Sequence, residues 1–130
     1  MQNFEDGNID VARFDHEAHI FIGWLYIGRH ELPQAIIRFD SALKRLIRRS
    51  GAPEKYHATI TWLFLLLIHE RYRDNETFAA FRQRNQDLFL DSQAVLGKYY
   101  TTARLHSDPA RARFLLPDRL AGQKSPSIRP

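Results

Sequence analysis

The chain contains no cysteine. That absence excludes disulfides, thiolate zinc sites, iron–sulfur clusters and cysteine nucleophiles. Any metal must then be held by nitrogen and oxygen ligands. Long hydrophobic runs are also missing. The longest spans 60–68 and is interrupted by Thr61, well short of the ~20 apolar residues a membrane-spanning helix needs. The N-terminal Met-Gln-Asn-Phe-Glu-Asp-Gly is acidic and lacks the apolar stretch of a secretory signal. A cytoplasmic protein with no membrane partner is therefore expected. There is no glycine-rich phosphate loop, dinucleotide fingerprint or nucleophile elbow, so nucleotide-dependent chemistry has no support. No segment sustains strand alternation, and no repeat recurs at 30–45 residues.

What is present suits one soluble domain. The 130 residues are 44% hydrophobic and 26% charged, enough for one core. Net charge is +4. Arginine dominates it, with Lys44, Arg45, Arg48 and Arg49 clustered and Arg104, Arg111, Arg113, Arg119 and Arg129 scattered later. Fifteen acidic residues are interspersed. The charge therefore reads as solvated helix faces, and nucleic acid is not an expected partner.

The apolar spacing predicts helices throughout. Asp10 is the expected cap of a first helix running to about residue 29, and Pro33 starts a second. Gly51 follows the basic last turn of that second helix as a C-terminal stop. Pro53 opens a third over about 53–73, apolar nearly all round and so central. Asn75 and Asp91 cap two shorter helices, and Asp108-Pro109 starts a last turn. The expected fold is all-α: a compact bundle of three long helices, up-down-up, with two or three short C-terminal helices. One domain covers 1–120, and 121–130 form a flexible tail rich in Gly, Pro and Ser.

The up-down-up order has a chemical consequence. His16 and His19 lie three apart on one helix face. His57 lies at the start of the third helix, and the first and third helices would start at the same end. Imidazole is the commonest metal ligand and the usual general base near neutral pH. Asp15 is four residues from His19 and is a further ligand candidate. Three histidines with an open position suit one divalent transition metal ion acting on a small-molecule substrate. His16-Glu17-Ala18-His19 is not a His-Glu-x-x-His zinc motif, since the second histidine comes one residue early. A metal-free version uses His57 as general base, with Tyr56 or Tyr26 as proton donor and Thr61 orienting ligand or water. Gly23, inside the first helix, costs about 1 kcal/mol against alanine, which close packing or a ligand would explain.

The pairing of His-Glu-Ala-His-Ile…Trp-Leu-Tyr with Lys-Tyr-His-Ala-Thr-Ile-Thr-Trp resembles a group of short bacterial helical proteins. In these, a histidine-bearing first helix precedes a Lys-Tyr-His-x-Thr-x-Thr segment. Leu32-Pro33, Tyr99-Tyr100 and Leu116-Pro117-Asp118 are similar too, so the resemblance covers most of 14–118. It implies no activity and points to His16, His19, His57 and Thr61. The competing expectation is a non-catalytic interaction or regulatory module. Its histidines would be structural, and its apolar third helix and aromatics would serve a partner or a homodimer.

Overall fold

Asp15 begins the first long helix. Its extended backbone and its carboxylate, which accepts from the Ala18 N–H at 2.9 Å, cap the turn that follows. In the computed structural model, which describes residues 2–6 and 15–119, the elements run α1 Gln2–Glu5, α2 His16–Arg29, α3 Leu32–Arg49, a 3₁₀ turn Pro53–Lys55 and α4 Ala58–Arg71. Five short helices follow: α5 Phe78–Arg84, α6 Gln86–Leu90, α7 Ser92–Tyr99, α8 Thr102–Leu105 and α9 Asp108–Ala112. The described residues are all helix, turn and loop. No helix among them is long and apolar enough to cross a membrane.

α3 carries the sharpest amphipathic stripe. Ala35, Ile36, Phe39, Leu43, Leu46 and Ile47 are buried while its arginines face water. α4 buries Leu63, Phe64, Leu65, Leu67 and Ile68 and packs against α2, α3 and α9. Gly23 explains how closely α2 and α4 meet. A Cβ there would lie 3.1 Å from Ile68 Cδ1 and from Leu65 Cδ2. Gly51 takes φ +80° just after α3, a left-handed stop suited to glycine.

Three boundaries and the number of short helices differ from the sequence-based expectations. Asp10 lies outside the described residues, and the cap of α2 is Asp15. Pro53 starts only one 3₁₀ turn, because Tyr56 and His57 then adopt extended backbone and α4 begins afresh at Ala58. Asn75 is not a cap: it sits at φ +66° in a turn, and the Thr77 hydroxyl caps α5 by accepting from Ala80 N–H. The short helices exceed the expected two or three, since α6 and α8 carry too little apolar periodicity to be seen in sequence. The 121–130 tail lies outside the described residues.

Residues 113–119 form a strap across this framework. Thr59 Oγ1 donates to Arg113 O at 2.9 Å and accepts from Leu115 N at 3.1 Å. Trp62 stacks on Phe114. Asp118 accepts from both the backbone N–H and the hydroxyl of Thr101.

Candidate functional site

A cavity of about 360 Å³ opens where α2 and α4 begin. Asp15, His16 and His19 line it from α2, and Leu43 and Ile47 from the later turns of α3. The 55–57 segment and the first turn of α4 supply Lys55, Tyr56, His57, Ile60 and Thr61. Thus His16, His19 and His57 share one cavity. Local sequence puts them there. The extended backbone of Asp15 sets the start of α2 beside the cavity, and the Tyr56–His57 break does the same for α4.

The three imidazoles are in different chemical situations. His57 is the N-cap of α4. Its Nδ1 accepts from the Ile60 N–H at 3.2 Å, and its Nε2 faces the Leu105 carbonyl at 2.8 Å. A carbonyl only accepts, so Nε2 carries the hydrogen and Nδ1 the lone pair. Both nitrogens are committed. Burial lowers the pKa of His57, with Arg111 and His106 acting in the same sense and the Leu105 hydrogen bond opposing. Protonation at Nδ1 would also break the cap. His16 donates from Nε2 to the Leu88 carbonyl at 2.6 Å, tying α2 to α6. His19 lies between Phe39 and Phe64 and 6.3 Å, centroid to centroid, from His16. Burial, reinforced by His16, pushes its pKa down to about 3, so it is neutral at any ordinary pH.

These bonds are what His57 makes in the structure, and the metal or general-base role expected of it would compete with them. Use of Nδ1 for a metal or a proton would uncap α4, and use of Nε2 would release the Leu105 carbonyl. Among the described residues no group of three or more His, Asp or Glu side chains stands ready for a metal ion. Asp15 is turned onto its own helix as a cap. The two tyrosines expected as proton donors each donate to a carboxylate. Tyr56 donates to the Asp40 carboxylate, and burial first, then Asp40, raises its pKa. Asp40 also pairs with Lys44 at 3.1 Å, and Lys44 lies over the Tyr56 ring. Tyr26 is buried away from the cavity and donates to Glu5 at 2.7 Å.

Thr61 is the residue left open to chemistry. It is only 3% exposed and lines the cavity. Its hydroxyl makes no hydrogen bond among the described residues, not even the usual one to its own helix backbone. Lys55 was not among the expected site residues. It lines the same cavity and forms none of the ion pairs present among the described residues. Its signal was the Lys-Tyr-His sequence itself. Glu17 points elsewhere, to Arg82 at 3.1 Å, and His69 and His106 are exposed.

The chain matches no family model, and no characterised protein or solved structure is significantly similar to it.

Proposed function

We propose that the protein binds a small organic molecule in the cavity at the start of α2 and α4, without a metal ion. The observation that carries this reading is the composition of the cavity wall. An apolar bed of Leu43, Ile47 and Ile60 faces a few polar groups, among them the Thr61 hydroxyl, which has no hydrogen bond among the described residues. Ligand sites in proteins have this make-up, and about 360 Å³ falls at the lower end of their usual size range. His16 and His57 serve as struts, tying the cavity to α6 and α8 through Leu88 and Leu105. We also infer the up-down-up order of the three long helices. It is supported by the first turns of α2 and α4 sharing a cavity with the later turns of α3.

The test is a fragment titration of ¹⁵N-labelled protein followed by amide shifts, run with chelator and, separately, with Zn²⁺. Saturable shifts at 15–19 and 57–61 caused by organic fragments in chelator are expected. Stoichiometric Zn²⁺ uptake that is lost in His57→Ala, with no response to fragments, would overturn this reading in favour of a histidine metal site.

A further inference from the structure

Resting on the small-molecule reading of this cavity, we propose that its ligand is a small organic acid. Its carboxylate is held by Lys55 and the Thr61 hydroxyl, and its hydrocarbon body lies on Leu43, Ile47 and Ile60.

Three observations point to an anionic head. First, Thr61 is 3% exposed as a residue and lines the cavity, and its hydroxyl has no protein partner among the described residues. It is a hydrogen-bonding group left open to whatever occupies the cavity. Second, Lys55 is the cation of the cavity wall and is not spent on any of the ion pairs above. The nearby Lys44 differs, being held by Asp40 at 3.1 Å. Third, α2 and α4, fourteen residues each, both turn their N-terminal ends toward the cavity. Those ends carry the positive pole of the helix dipole. The opposing charge is Asp15, which is exposed and accepts from Ala18 N–H, so water and its own helix offset it. His19 is neutral and adds no charge of its own. An amine head would meet Lys55 and two positive helix ends. An alcohol would satisfy Thr61 but leave Lys55 unpaired. A carboxylate answers both, through charge-assisted hydrogen bonds.

Hexanoate, hexanol and hexylamine share one hydrocarbon body and differ in the head. Each is titrated into ¹⁵N-labelled protein at neutral pH. Hexanoate is expected to shift the amides of 57–61 saturably and to bind about tenfold tighter than hexanol, with hexylamine producing no shift there. Lys55→Met, at an exposed position, should bring hexanoate down to the level of hexanol. Thr61→Val should weaken both. Equal binding of hexanoate and hexanol that ignores Lys55→Met overturns the acid and leaves the cavity reading intact. No saturable shift at 57–61 from any of the three probes overturns both.

Discussion

His57 donates from Nε2 to the carbonyl of Leu105, 48 residues further along the chain. The same ring caps α4 through Nδ1. One side chain therefore starts the central helix and pins the end of α8 against it. An aspartate or serine could supply the cap alone. A neutral imidazole supplies a cap acceptor and a second, oppositely directed donor, which explains the residue without invoking catalysis.

His57→Ala should destabilise the protein by about 1–3 kcal/mol, combining a lost cap with an unpaired buried carbonyl. His57→Asn should recover part of this, because its amide oxygen can cap α4 while it cannot repeat the ring's reach to Leu105. Urea denaturation of the three proteins in chelator checks the ranking. An alanine variant as stable as wild type would show that neither bond contributes.

Acid should weaken the fold earlier than carboxylates alone would dictate. His19 binds a proton only near pH 3 when folded but near its ordinary 6.5 when unfolded. Between those values the unfolded chain holds the extra proton, so stability falls as pH falls, by up to about 1.4 kcal/mol per pH unit per group. His57, also lowered, adds in the same direction. Asp87, Asp118 and Glu76 are held below their ordinary values of 3.8, 3.8 and 4.5, so their losses begin only at lower pH. Urea midpoints measured between about pH 7 and about pH 5 should therefore decline in wild type. The decline should be shallower in His19→Gln.

The Tyr56, Asp40 and Lys44 group should act as a brace for the cavity wall. Tyr56→Phe removes the donor to Asp40 but leaves the Lys44 pair, so a modest loss of about 1 kcal/mol is expected. Asp40→Ala strands the half-buried Tyr56 hydroxyl and also frees Lys44, and should cost more. Thermal melts of both variants give the order, and the reverse order would mean that Lys44 alone holds Asp40.

Much of this was legible in the sequence because it depends on period and residue type. The amphipathic stripe of α3 and the apolar run of α4 declare helices and core, and Gly23 announces a close approach that the Ile68 and Leu65 contacts explain. Two features hid the rest. Pro53 marks a helix start equally well whether the helix continues or stops after one turn. The stop was decided by the His57 cap and by Leu105, a contact at long range in the chain. The histidine roles were hidden for the same reason. Spacing can bring imidazoles to one end of a bundle, but their chemistry is set by the carbonyls of Leu88 and Leu105, contributed by helices too short to read.

The sharpest comparison lies between two threonines of one helix. Thr59 and Thr61 are both buried, two residues apart, and so lie on different faces of α4. The Thr59 hydroxyl bridges Arg113 O and Leu115 N; that of Thr61 faces the cavity without a partner. Replacing each by valine keeps the shape and removes only the hydroxyl. Thr59→Val leaves a backbone donor and an acceptor unmade beneath the C-terminal strap, and should cost about 1–3 kcal/mol. Thr61→Val removes an unsatisfied group from an apolar wall, and should leave the ligand-free protein as stable as wild type or slightly more so, as substitutions at binding positions often do. Urea unfolding of the two variants side by side measures the difference. A Thr61→Val protein as damaged as Thr59→Val would mean that its hydroxyl already has a structural partner, and the cavity would lose the polar group on which its ligand depends.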